Sequence, residues 1–229
     1  ASASTVDKSA ALRSAAEHLR GAMPQVLAAN AQDMAAGAAN GLSAALLDRL
    51  LLDEPRVLAI ASALDAVAAL PDPVGQQIDT ATVPSGLTLE RVRVPLGVIG
   101  IIYESRPNVT ADAAALALMA GNAVILRGGS EAVHRNRAIH AALSAGVIAA
   151  GLPAAAVQLV PTQDRAAVGA MLRASGLIDI IIPRGGKSLV ARVQEEARVP
   201  VLAHLDGINH SYVDGAADAD MAAALVVNA

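Results

Sequence analysis

Two short turns carry residue types suited to handling anions: Arg127-Gly128-Gly129-Ser130 and Arg184-Gly185-Gly186-Lys187. Each follows an apolar run, residues 123–126 and 179–183, and each leads into a segment of helical character. Glycine lets backbone N–H groups come close to a ligand, and a helix N-terminus attracts negative charge. Arg184 and Lys187 at such a terminus oppose the helix dipole unless an anion lies nearby. A ligand with two anionic stations, such as a dinucleotide, matches the pair. The plainer alternative is two tight turns with solvated cations. A third polar turn, Glu104-Ser105-Arg106-Pro107-Asn108, follows the apolar run 98–103.

Strands and helices must hold these turns in place. Residues 98–103, 123–126, 157–160 and 179–183 are apolar runs of strand length. Helical segments at 109–119, 130–150 and 164–173, and a last one ending at about 197, alternate with them. This alternation predicts βαβ crossovers in a parallel sheet covered on both faces, with ligands held at the carboxyl ends of its strands. Further strands are predicted at 200–203 and 210–213, and a helix at 217–228. Residues 6–70 read as helices at 6–20, 24–39, 43–52 and 55–70, with Asn40-Gly41 and Asp53 plus Pro55 as stop and start signals. After the rigid turn 70–75, residues 76–83 and 87–94 alternate polar and apolar around Pro84-Ser85-Gly86, a β-hairpin pattern. Thr88, Glu90, Val92 and Val94 are expected on one face, with Leu89, Arg91 and Arg93 on the other. A lone hairpin is marginal in water, so it should pair with another strand or another subunit. The expected fold class is α/β: a doubly wound, mainly parallel sheet with a helical N-terminal layer and a projecting β-hairpin.

Composition narrows the function. The 229 residues can bury roughly 70% of their unfolded surface. Without Phe or Trp, and with Tyr103 and Tyr212 the only aromatics, the core must be aliphatic. A formal charge of −4 argues against nucleic-acid and anionic-membrane partners, and arginine clusters in such a chain suggest a small anionic ligand. The N-terminal helix carries Asp7, Lys8, Arg13, Glu17 and Arg20 rather than a secretory signal, so a cytoplasmic location is expected. The uncharged stretch 141–163 is broken by Gly146, Gly151, Pro153 and Gln158 and does not read as a membrane span. The absence of Cys excludes disulfides, thiolate metal sites and a cysteine nucleophile within these residues. His18, His134 and His140 lack partners at metal spacing, so no metal is expected.

Four segments carry a resemblance: residues 95–108 (PLGVIGIIYESRPN), 121–131 (GNAVILRGGSE), 180–187 (IIIPRGGK) and 195–214 (EEARVPVLAHLDGINHSYVD). With the helical start and the turn 70–75, they resemble the gamma-glutamyl phosphate reductases (glutamate-5-semialdehyde dehydrogenases) of the aldehyde dehydrogenase superfamily, across the whole chain. The resemblance implies NADPH-dependent reduction of L-glutamyl 5-phosphate to L-glutamate 5-semialdehyde, with release of phosphate, in proline biosynthesis. In that family a cysteine thiolate attacks the acyl phosphate, and the resulting thioester takes hydride from the nicotinamide. The family's cysteine falls just beyond the equivalent of Val227-Asn228-Ala229. The chain is therefore expected to be the cofactor-binding part without the catalytic domain. Residues 1–75 and 95–229 would form the NADPH-binding domain, with 1–70 as its helical layer, and residues 76–94 an oligomerisation hairpin for a homo-oligomer. The fragment alone should be inactive. Other readings are another enzyme of the superfamily, or a non-catalytic nucleotide-binding or assembly module.

The resemblance also assigns roles. Arg127, Gly128, Gly129 and Ser130 would hold the adenosine end of NADPH, with the Arg127 guanidinium suited to a 2′-phosphate. No acidic residue ends this strand to grip a free 2′-hydroxyl. Alternatively, Ser130 is only an N-cap and Arg127 a surface cation. Arg184, Gly185, Gly186 and Lys187 would face the pyrophosphate. Asn108 would donate to the oxyanion on the substrate carbonyl, or else cap a helix. Arg106 would contact the substrate's phosphate or carboxylate, or lie on the surface. Tyr103, Glu104 and Ser105 share the turn without an assigned role. His204, in His204-Leu205-Asp206-Gly207, stands where hydrolytic relatives carry a general-base Glu; structural and catalytic roles are both open, and His210 is taken as structural.

Overall fold

Short polar signals start the first helices. Ser4 and Asp7 form a reciprocal capping box: the Ser4 Oγ accepts from the Asp7 N–H at 3.2 Å, and the Asp7 carboxylate accepts from the Ser4 N–H at 3.2 Å. Helix α1 then runs Thr5–Gly21. Only Ala22 separates it from α2 (Met23–Ala39), which has Pro24 in its first turn, where the missing N–H has no partner to lose. Ser43 caps α3 (Ala44–Leu50), shorter than the expected 43–52, and Asp53 caps α4 (Glu54–Ala68). The computed structural model describes residues 3–104, 106–203 and 210–228, so Ser105 and the His204-Leu205-Asp206-Gly207 segment lie outside the described residues.

The hairpin β1 (Gln77–Thr82) and β2 (Thr88–Val92) follows, then β3 (Val98–Tyr103), α5 (Val109–Met119), β4 (Ala123–Arg127) and α6 (Val133–Ala149). Next come β5 (Val157–Leu159), α7 (Arg165–Leu172), β6 (Ile180–Arg184), α8 (Lys187–Glu196) and α9 (Ala219–Asn228). Strands β3 to β6 form one parallel sheet in the order β5-β4-β3-β6. The winding therefore changes direction between β3 and β6, and open α/β sheets leave a ligand crevice at the carboxyl ends of such strands. Alternate residues of β3 serve two cores. Ile99, Ile101 and Tyr103 join α1, α4, α5 and α6 on one face, while Ile102 joins α7 and α8 on the other. The doubly wound α/β fold expected from the sequence is the fold observed.

Two contacts lock the helical layer to the sheet domain. Helices α1 and α6 cross at Gly146, where a methyl group would strike the Ala15 backbone and lie 2.7 Å from the Ser14 carbonyl carbon. Gly146 lies inside α6, within the helix expected over 130–150, and sets this crossing. The buried Lys8 ammonium pairs with Asp72 at 2.5 Å, tying α1 to the turn before the hairpin. Burial raises the pKa of Asp72, but bonds from Lys8, from the Thr5 hydroxyl (2.6 Å) and from the Val74 N–H (3.0 Å) outweigh it and bring the pKa down to about 2.

Several expectations need correction. Residues 200–203 form no full strand: Val201 makes a single parallel bridge to Ile181 beside β6, and Pro200 offers a carbonyl but no N–H to extend it. Residues 210–213 are exposed and form no strand, since no neighbouring ladder receives them among the described residues. The segment 130–150 begins with a 3-10 turn (Ser130–Ala132) before α6. In the hairpin, an irregularity at Ile78 shifts the register, Leu89 faces Ala81, and Arg91 reaches Asp79 at 3.2 Å. Both of its strands are exposed, and the hairpin is a sheet of its own. Among the described residues, no helix is long and apolar enough to cross a membrane.

Candidate functional site

Strand register sets the geometry of the site. Ile102 pairs with Arg127 on β4, and Tyr103 pairs with Arg184 on β6. The two Arg-Gly-Gly turns thus leave the sheet on either side of β3, and the residue at the end of β3, between them, is Glu104. One cleft is lined by Arg49, Glu104, Arg106, Arg184, Gly185 and Gly186. A second, over β3 and β4, is lined by Glu104, Arg127, Gly129, Ser130, Gln163, Arg165 and Arg192. A third, between α2 and the start of α6, includes Asp33, His134 and again Glu104.

At the second turn the protein supplies its own anion. The Gly186 N–H donates to Glu104 Oε2 at 3.0 Å, and the Glu104 N–H donates to the Arg184 carbonyl at 3.2 Å. A Cβ on Gly185 would lie 2.6 Å from the Glu104 carboxyl carbon and 2.9 Å from Leu189. Gly186 occupies the N-cap position of α8 and has no side chain to cap it, and Glu104 accepts from the N–H of Gly186 itself. Arg184, one of the cations that opposed the dipole, therefore shares a cleft with a carboxylate that follows the central strand.

The first turn is built differently. Ser130 does not cap α6. Instead the carboxylate of Asp33, on α2, accepts from the His134 N–H (3.1 Å) and the Arg135 N–H (2.8 Å), and Asp33 is only 3% exposed. Arg135 is buried beside it and donates to the Leu50 carbonyl at 2.6 Å; burial lowers its pKa and the Asp33 charge opposes that shift. Gly128 is fixed by packing, because a Cβ there would meet the Asn136 amide and the Tyr103 hydroxyl at 3.1 Å. That hydroxyl lies 2.8 Å from Thr110 Oγ1, and burial pushes the Tyr103 phenol up to about 12, so it stays neutral in a structural network.

Arg127 faces the second cleft with part of its hydrogen-bonding capacity unused. Its guanidinium donates to the Gly128 carbonyl (2.8 Å) and the Gln163 carbonyl (3.1 Å). Its Nε and the Gln163 Oε1 are buried without a hydrogen-bond partner. Burial lowers the Arg127 pKa; Glu131 opposes this, and the neighbouring Arg165 and Arg192 add to it. The Glu131 carboxylate also lies over Gly129, so an acidic group shares this cleft although none ends the strand. An unsatisfied donor and acceptor within a cluster of three guanidinium groups suit a phosphorylated ribose, so the residues present fit the end of a dinucleotide.

Asn108 lies apart from these clefts. It occupies the N-cap position of α5 but makes no capping bond. Its Nδ2 donates to Asp112 Oδ2 at 2.6 Å, in a groove against α4 that includes Arg56 and Pro107. Burial raises the Asp112 pKa and the Asn108 bond counters it. The structure thus groups Arg106 with Arg184, Gly185 and Gly186, and Arg127 with Gly129 and Ser130. Gly128 points into the interior, and Lys187 begins α8 at the surface. Sequence reasoning missed Arg49, Arg165, Arg192, Asp33 and the part played by Glu104. Arg165 had a readable signal: it follows the Asp164 cap at the end of the turn after β5, on the carboxyl side of the sheet. Arg49 and Asp33 reach the site from the helical layer, and nothing in their local sequence points there. Among the described residues, no group of three or more His, Cys, Asp or Glu could hold a metal ion.

Comparison with known proteins adds a lineage to this geometry. The aldehyde dehydrogenase family pattern matches residues 50–229. The chain is 75% identical over 225 residues to the gamma-glutamyl phosphate reductase of Sphingopyxis alaskensis, covering 98% of the chain and 52% of that relative. It is 69% identical over 229 residues to that of Rhizorhabdus wittichii, covering 100% and 53%. The crystal structure of gamma-glutamyl phosphate reductase from Thermotoga maritima matches with a TM-score of 0.84 at 40% identity, over 88% of this chain and 49% of that one. The Saccharomyces cerevisiae enzyme matches at 0.81 and 33%, over 90% and 52%. The chain spans about half the length of the curated relatives it matches.

Proposed function

The chain belongs to the aldehyde dehydrogenase family, and from that premise we propose that it is the NADPH-binding part of an enzyme that reduces L-glutamyl 5-phosphate to L-glutamate 5-semialdehyde and phosphate. The observation that carries the cofactor reading is the unsatisfied Arg127 Nε and Gln163 Oε1 in a cleft shared with Arg165 and Arg192. The substrate reading is supported by the names of relatives 69–75% identical, and it implies a place in proline biosynthesis and in the cytoplasm.

On this reading Arg127, assisted by Arg165 and Arg192, holds the 2′-phosphate, while Gly129 and Ser130 line the ribose side. Gly128 contributes by letting β4 end against Tyr103 and Asn136. Arg184, Gly185, Gly186 and Lys187 form the pyrophosphate station. Arg106 faces the substrate's anionic group, and Asn108 becomes an oxyanion donor once released from Asp112. NADPH, when bound, would supply the hydride that reduces the acyl carbon, phosphate having left at the preceding thioester-forming step. The covalent step of this chemistry asks for a thiolate, and the chain contains no cysteine, so its own share is binding and orientation. Residues 1–75 and 95–229 form the binding domain, and the exposed hairpin 76–94 joins copies of the protein into a homo-oligomer.

Calorimetric titration of the chain with NADPH and NADH tests this reading. Tighter binding of NADPH is expected, with the preference narrowing about tenfold in Arg127→Gln, the value of one charge-assisted contact. Equal binding of the two cofactors, or of neither, would overturn the assignment. The chain alone should show no reductase activity.

A further inference from the structure

Two carboxylates sit at the helix N-termini behind the two Arg-Gly-Gly turns, and they differ in how firmly they are held. Asp33 is buried and accepts from two amides at the start of α6. Removing it would strand both N–H groups, and at 3% exposure it is closed to exchange with a ligand phosphate. Glu104 is exposed and accepts from one amide, that of Gly186. Its side chain lies over Gly185, where the backbone would otherwise be open to a ligand. It also borders the cleft that holds Arg49, Arg106 and Arg184, so a displaced carboxylate has cationic neighbours to receive it.

We propose that Glu104 is a displaceable internal anion that occupies the α8 phosphate station and lowers its affinity for every phosphate ligand. This rests on the cofactor reading above and assigns a role to a residue outside it. A dinucleotide binds by moving Glu104 from the Gly186 amide toward the Arg49 and Arg106 side, and its anchor in the Arg127 cleft offsets the cost of the exchange. A short phosphate ligand has no such anchor and is kept off the station. The penalty is the same for both classes, so it takes the weakly held inorganic anions off the station while an anchored dinucleotide still binds.

The test compares the wild-type chain with Glu104→Ala and Glu104→Gln, each checked for folding by circular dichroism. NADPH, inorganic pyrophosphate and adenosine 2′,5′-bisphosphate serve as probes. In Glu104→Ala, NADPH and pyrophosphate should each bind roughly tenfold tighter, the worth of one charge-assisted hydrogen bond. Glu104→Gln, which keeps the acceptor but loses the charge, should tighten both by less. Adenosine 2′,5′-bisphosphate is anchored in the Arg127 cleft, which Glu104 also borders, and should tighten in Glu104→Ala by less than pyrophosphate does. If NADPH binds the wild type but both variants bind it equally or more weakly, Glu104 has no such role while the cofactor reading stands. If none of the proteins binds NADPH, both fall together.

Discussion

Asp33 and Asp72 show how acidic side chains in this protein do structural work at a distance from their own sequence neighbours. Replacing Asp33 with Ala leaves two buried α6 amides without their acceptor, a loss of about 3 kcal/mol in urea unfolding. A change below 1 kcal/mol would mean that water or another group takes over the cap. For Asp72 the sign follows from a folded pKa of about 2, below its unfolded value of 3.8. Its contribution is complete above the unfolded value and is lost as pH falls toward 2. Asp72→Asn should be less stable at pH 7 and lose less of its remaining stability between pH 5 and pH 2; an unchanged acid limb would discount the Lys8 pair. At this scale the sequence was a partial guide. The Arg and Gly of both turns were legible from their type and spacing. What Gly128 packs against, and which carboxylate faces each helix start, depends on residues far away along the chain, Asp33 for one turn and Glu104 for the other.

At the scale of elements, the β3–α5–β4–α6 succession was readable because strand and helix periods differ and each strand is bounded by a turn. Segment 210–213 failed because a run of strand-like residues becomes a strand only when a neighbour offers its ladder. Gly146 was read only as an interruption of an uncharged stretch and is a crossing point, since local sequence does not report what lies against a helix. Helices α1 and α6 meet there backbone to backbone, and neither can yield to a side chain. Gly146→Ala, normally favourable inside a helix, should cost about 3 kcal/mol through overpacking. A rise in melting temperature would show that α1 can shift aside without loss.

Among the described residues, the hairpin and α9 each leave apolar side chains uncovered. Ile78, Leu87 and Leu89 on the hairpin are about half exposed or more, and Met221, Leu225 and Val227 on α9 are similarly open. If the hairpin joins copies of the protein as proposed, Leu89→Asp should reduce the mass measured by light scattering to that of one chain, with helical content unchanged. A wild type that is already a single chain across the micromolar range would rule out that role. The division between a doubly wound domain and its helical layer was visible in the change of pattern near residue 75. The docking of the layer was not, because it depends on the Lys8–Asp72 pair, the Gly146 crossing and the reach of Asp33.

That reach has a consequence during synthesis. Asp33 and the amides it serves are 101 and 102 positions apart. At translation rates of roughly 5–20 residues per second, α2 leaves the ribosome about 5–20 s before α6 exists to receive it. During that interval helices α1 and α2 lack the α6 surface against which their apolar sides come to pack.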